Sequence, residues 1–229
     1  MIPVDLGYGA AIVSETERCW TTAKGTVCIK SYATVASIMG LEMDAGIGIF
    51  GHFGPEARQR QKDILRRVAT MWDGNAVIAY TPAERIVAYI CLSAPGADER
   101  WGGPGFEFVH EFGLLEVSRD WRGVGLAEKL MEIAFADEAL EEKIVISTSY
   151  AWHWDIERSG LNKWQYRERL RRLLARHGFM ELSTDEENIC FDPANLLAAR
   201  FGARVPAAQV ARFKDTLFRE EAQEIGLGW

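Results

Sequence analysis

Residues 111–127, EFGLLEVSRDWRGVGLA, constrain the fold more than any other stretch of the chain. The first half alternates as a strand does, and the second is a glycine-bearing turn that opens a helix. Turns of this kind leave backbone N–H groups unpaired, and the helix dipole favours negative charge in front of them. The run Arg122, Gly123, Val124, Gly125, Leu126 and Ala127 therefore reads as a seat for a phosphate group. Gly123 and Gly125 carry no Cβ, so the backbone there can approach such a ligand closely.

The spacing excludes two common nucleotide sites. A dinucleotide fingerprint needs a third small residue where Glu128 stands, and a P-loop needs a Lys-Ser/Thr pair that is missing. The turn does match R/Q-x-x-G-x-G/A, with Arg122, Gly125 and Ala127 on the specified positions, and so resembles the GCN5-related N-acetyltransferases (GNAT). The resemblance implies acetyl-CoA as cosubstrate, with its pyrophosphate on the turn. It also implies that the strand end at Leu115, Glu116 and Val117 bonds the pantetheine arm.

Composition narrows the remaining classes. At 229 residues, nearly half of them apolar, the chain suffices for one large domain, and a charged fraction of 26% is that of a folded protein. A net charge of −7 argues against nucleic acid as a partner and is compatible with a basic acceptor. The four cysteines, Cys19, Cys28, Cys91 and Cys190, form no C-x-x-C pair. They imply reduced thiols, a cytoplasmic location and no zinc site. No apolar run is long enough to span a bilayer, and no leader-like segment opens the chain.

Taken in order, residues 1–25 are unreadable, and residues 26–31 form a first strand. Residues 32–54 are rich in glycine and methionine, with a short helix near 35–43 and a sharply turning loop after it. Pro55 starts an amphipathic helix to Trp72, with Ile64, Leu65, Val68, Ala69 and Trp72 on one face. Strands follow at 75–80, 86–92 and 106–117, then the turn, a helix burying Leu126, Leu130, Ile133 and Ala134, and a strand at 143–147. A helix over 161–177, strands from Phe179 and at 188–191, a helix over 192–200 and a last helix over 207–221 complete the chain. This order resembles the GNAT fold: α/β, with a mixed, mostly antiparallel sheet flanked by helices. The expected division is an extension over 1–25, an acetyltransferase domain over 26–191 and a helical extension over 192–229 packed on it.

Acetyl transfer to an amine needs a base, a group to stabilise the thioester oxygen, and a proton for the leaving thiolate. Glu111 and Glu116 flank the cofactor strand, and five-residue spacing in a regular strand puts them on opposite faces. Glu111 stands six residues before Val117, the offset at which histone-acetylating relatives keep their base, and Glu116 is the second candidate. Many relatives carry an acid tyrosine four residues before the Gly-Phe that ends the second helix. Leu174 stands there in this chain, which leaves Tyr150 as the candidate acid; Tyr166 lies two turns earlier on the helix. His153 and Asp155 lack the spacing of metal ligands.

Tyr150 opens the segment YAWHWD, a packed aromatic loop or a lid over the acetyl group. With KWQYR from Lys163, STDE from Ser183 and DPANLLAARFG from Asp192, it resembles the acetoin-utilisation (AcuA-type) protein acetyltransferases from about residue 75 onward. That resemblance implies transfer of acetyl to a lysine of AMP-forming acetyl-CoA synthetase. A small amine as acceptor and a non-catalytic acyl-CoA sensor are the competing readings.

Overall fold

The computed structural model describes residues 15–48 and 52–218. Its strands are β1 (Thr16–Thr22), β2 (Gly25–Ser31), β3 (Glu42–Met43), β4 (Asn75–Tyr80), β5 (Arg85–Ser93), β6 (Val109–Val117), β7 (Ile144–Ser149), β8 (Met180–Leu182) and β9 (Leu196–Phe201). They form one sheet in the order β1-β2-β4-β5-β6-β7-β9-β8, with β3 added beside β5. Pairing is antiparallel except at β6–β7 and β3–β5. The helices are α1 (Val35–Met39), α2 (Pro55–Val68), α3 (Leu126–Ala134), α4 (Ile156–Ser159), α5 (Lys163–Arg176), α6 (Glu187–Cys190) and α7 (Ala207–Asp215). Among the described residues no helix is long and apolar enough to cross a membrane.

Helices cover both faces of this sheet. On one face Leu126, Leu130 and Met131 of α3 and Leu174 of α5 pack against Val77, Ile90 and Phe112. On the other, Ile38 of α1 and Leu65 and Val68 of α2 pack on Ile78, Ile86 and Tyr89. Farther along that second face, Phe213 of α7 meets Ile144, Ile146 and Leu197. α5 begins at Lys163 because Asn162 and Gln165 close a capping box, which satisfies two otherwise unpaired N–H groups.

Several expectations need correction. Residues 16–22, unread in the sequence, are an edge strand paired with β2 along its whole length. Cys19 and Cys28 face each other across that pair and form a disulfide, with Cα atoms 3.9 Å apart. The expectation of uniformly reduced, scattered cysteines fails there, because nine residues of sequence separation conceal a hairpin. α2 stops at Val68, one turn short of Trp72, which is therefore 88% exposed instead of buried.

The expected strand at 188–191 is the short helix α6, capped by the Glu186 carboxylate accepting from the Ile189 N–H at 2.8 Å. The expected helix over 192–200 is strand β9. Leucine and alanine favour helix in isolation, but here β9 lies between β7 and β8 with both faces covered, and tertiary burial decides. A boundary at residue 191 would thus remove a strand from inside the sheet. The last helix ends at Asp215; the remainder of its expected range runs into residues 219–229, outside the described residues, as do residues 1–14 of the expected N-terminal extension.

Candidate acetyl-transfer site

β6 and β7 pair in parallel only from Val109 to Glu111 against Ile144 to Ile146. Beyond those three pairs they part, while β6 continues to Val117 and β7 to Ser149. The gap opens into a cleft of about 850 Å³. Its walls are the diverging strand ends, the turn, the first residues of α3, the segment after β7, and α5.

A β-bulge sits at the point of divergence. Leu92 pairs with Phe112 and Cys91 with Leu114, so Gly113 is an extra residue without a partner on β5. Such a residue interrupts the ladder and frees backbone polar groups. It also changes which way the glutamates point. Glu111 pairs with Ser93 and Glu116 with Tyr89. Ser93 and Tyr89 are four residues apart on a regular strand, so all four side chains share one face. The opposite-face expectation for Glu111 and Glu116 is therefore wrong, because the bulge absorbs the odd residue.

The two carboxylates nevertheless have different surroundings. Glu111 accepts one bond, from the Thr148 hydroxyl at 3.2 Å on β7. A Cβ built on Gly113 would lie 3.8 Å from its Oε2, which puts the carboxylate beside the bulge. Burial, reinforced by the nearby charge of Glu99, raises the Glu111 carboxyl above its ordinary range. Glu116 has both oxygens engaged: Oε1 accepts from the Gly48 N–H at 2.7 Å and Oε2 from the Tyr89 hydroxyl at 2.6 Å. Burial raises its carboxyl too, against the opposing effect of those bonds. Glu116 thus ties the glycine-rich loop to the sheet. Gly46 makes that docking possible, since a Cβ there would fall 2.4 Å from the Ser118 Oγ and 2.9 Å from the Arg119 nitrogen.

The turn has the geometry its glycines imply. Gly123 and Gly125 adopt φ of +82° and +80°, and a Cβ on either would meet no protein atom within 4 Å. Glycine stands at these positions for the left-handed backbone, with open space in front of it. Gly125 is also the N-cap of α3. Leu115, Val117, Arg122, Gly123, Gly125, Leu126, Ala127 and Tyr150 all line the cleft; Val124 does not, because its side chain packs against the core. Neither Glu111 nor Glu116 lines it, although their neighbours Phe112, Leu115 and Val117 do.

Arg119, Asp155 and Tyr166 occupy no position of the turn motif, and of these Arg119 and Tyr166 line the cleft. Arg119 and Arg122 both bond Asp155, through Arg119 Nε and Nη2 at 3.0 and 2.9 Å and Arg122 Nη1 at 2.7 Å. Burial would raise the Asp155 carboxyl, but the two arginines outweigh it and hold the group below its ordinary range. The Arg119 guanidinium lies 3.1 Å from the centroid of the Phe53 ring. Asp155 and Arg119 therefore join the aromatic segment, the turn and the end of the glycine-rich loop. Tyr166, two turns before Leu174 on α5, lines the cleft as Tyr150 does and stacks on Trp154.

Tyr150 stacks on Trp152, with centroids 4.7 Å apart and planes within 5°. Burial raises its phenol, and the charges of Glu186, Glu111 and Glu99 add to this, so it is neutral at ordinary pH. Among the described residues, one group of three potential metal donors occurs. It is Glu17, Cys19 and Cys28 at the far edge of the sheet, where the two sulfurs are already bonded to each other.

A mostly antiparallel sheet whose one parallel central pair parts around a bulge, with an amide-rich turn opening the next helix, is the architecture of a GNAT acetyltransferase. Enzymes of that class take acetyl-CoA as cosubstrate. No family model matches the chain. The acetoin utilization protein AcuA of Bacillus subtilis (strain 168) is 30% identical over 192 residues, covering 84% of this chain and 89% of the relative. AcuA of Bacillus licheniformis is 29% identical over the same length. A solved acetoin utilization protein from Exiguobacterium sibiricum 255-15, 28% identical, superposes with a TM-score of 0.82 over 91% of this chain and 97% of that one. The chain belongs to the AcuA family.

Proposed function

We propose that the protein transfers acetyl from acetyl-CoA to a lysine side chain of a protein acceptor. The observation that carries this reading is the Glu111 carboxylate beside the unpaired Gly113, where β6 leaves β7. In this reading the pyrophosphate sits on the amides of the turn from Arg122 to Ala127, and the pantetheine runs along Leu115 and Val117. The thioester oxygen then faces the backbone freed by the bulge, which stabilises charge as it develops.

Glu111 takes a proton from the lysine ammonium, directly or through water. Its raised carboxyl makes it a stronger base than an exposed glutamate. The free amine attacks the carbonyl carbon and the C–S bond breaks; the thiolate takes a proton from Tyr150 or from water, and the second proton of the attacking nitrogen restores that donor through water. Glu116, already holding Gly48 and Tyr89, positions the acceptor-side loop.

A protein acceptor is favoured over a small amine by the surface outside the mouth. Trp152 is 46% exposed and Phe191 80% exposed, and the two rings touch edge to face at 5.8 Å beside Tyr150. A small amine has no use for that apolar platform. By resemblance the acceptor is AMP-forming acetyl-CoA synthetase. The test is incubation with labelled acetyl-CoA and either that synthetase or a panel of small amines. Label on a synthetase lysine is the expected outcome, and label confined to small amines overturns the protein acceptor.

A further inference from the structure

A second groove, of about 580 Å³, runs along the outer side of α5. It is bordered by Asn162, Trp164, Arg169, Arg172 and Arg176 among others, and Arg169 and Arg176 border the main cleft as well. The two spaces therefore adjoin along α5. Arg169, Arg172 and Arg176 lie at i, i+3 and i+7, on one face of the helix.

These arginines are not equivalent. Arg176 donates to Glu128 at 2.7 Å and Arg172 to Glu168 at 2.7 Å, so each already has a carboxylate. In the cleft, Arg119 and Arg122 are held by Asp155. Arg169 and Arg158 are the cleft arginines with no recorded ion pair among the described residues, and only Arg169 also borders the groove. Trp164, 54% exposed, supplies the groove with an aromatic wall.

Coenzyme A presents matching chemistry past its pyrophosphate: a flat purine and a ribose 3′-phosphate. We propose that the α5 groove receives the 3′-phosphoadenosine end, with Arg169 as the ligand of the 3′-phosphate and Trp164 as the plate for adenine. This rests on the acetyl-CoA reading above and adds a specificity residue that the turn motif does not contain. A guanidinium bound to phosphate makes charge-assisted, often paired hydrogen bonds. Aromatic stacking holds a base with little regard to its substituents.

The experiment is calorimetric titration of the full chain with CoA and with 3′-dephospho-CoA. Wild type is expected to bind CoA ~10-fold more tightly than dephospho-CoA. Arg169→Gln is expected to abolish that preference by weakening CoA alone, whereas Arg158→Gln keeps it. Trp164→Ala should weaken both ligands equally and leave 4′-phosphopantetheine unaffected. Equal affinity of wild type for the two nucleotides, or an Arg169→Gln protein that keeps its preference or weakens both ligands alike, overturns the assignment. Wild type that binds neither ligand refutes the cofactor site itself, a result distinct from loss of preference alone.

Discussion

On the side of β6 proposed for the cofactor, one run of chain, Phe112 to Glu128, supplies half of the residues that line the cleft, with the segment after β7 and α5 opposite. On the side proposed for the acceptor, and around the arginines of the turn, the groups are gathered from distant segments. Gly48 reaches Glu116, Thr148 reaches Glu111, Asp155 bridges Arg119 and Arg122, and Phe191 meets Trp152. The first side is built on backbone conformation and is fixed by two glycines with positive φ. The second is built from side chains whose partners lie 33 to 68 residues away. Backbone recognition suits a cosubstrate common to a whole class. Assembled side chains suit an acceptor that differs from one family to the next.

The largest expected effect breaks the cofactor side alone. Gly125→Glu places a carboxylate in front of the amides and forces a side chain into φ +80°. Open space around that position limits the folding cost to about 1 kcal/mol of backbone strain. CoA affinity should fall by more than ~1000-fold, read by calorimetry, with the melting temperature nearly kept.

Next comes Glu111→Gln, which should lower kcat by ~100- to 1000-fold with the KM for acetyl-CoA unchanged. Wild-type kcat/KM should rise with pH as Glu111 ionises through its raised value, and that limb should vanish in the variant. The same shift affects stability. Burying an ionised Glu111 costs nothing below the ordinary carboxylate range, and the cost is complete above the raised value. Glu111→Gln should therefore melt higher than wild type at neutral pH and equally at acid pH, a comparison available from melting curves across pH.

Glu116→Ala sharpens the contrast between the two carboxylates. It strands the Gly48 N–H and the Tyr89 hydroxyl, at a cost of about 2–3 kcal/mol in denaturant unfolding. Turnover should fall less than ~10-fold, far less than for Glu111→Gln, if its role is to hold the loop. The smallest effect belongs to Tyr150→Phe, about 3- to 10-fold in kcat, because a thiolate leaves readily without an acid. Stopped-time assays at saturating acetyl-CoA measure both.

The same division governs what could be read from the sequence. The turn, β4, β5 and α3 follow from local pattern, because glycine conformation and apolar periodicity act within a few residues. The faces of Glu111 and Glu116 did not follow, since one bulge residue at Gly113 changes the parity of the strand. Strand β9 was hidden by helix-favouring leucine and alanine whose burial between β7 and β8 decides otherwise. Asp155 stood in a conspicuous aromatic segment, but its arginine partners are 33 and 36 residues away and only the fold joins them. The Cys19–Cys28 pair was concealed in the same way, by a hairpin within the stretch that pattern left unread.

The central claim is that β6 and β7 part to admit a thioester beside Glu111. A crystal structure with CoA bound tests it directly. The account predicts the pyrophosphate on the amides between Arg122 and Ala127 and the thiol at the Gly113 bulge, within one water of the Glu111 carboxylate. A coenzyme lying elsewhere on the sheet, or with its thiol directed away from Glu111, would contradict it.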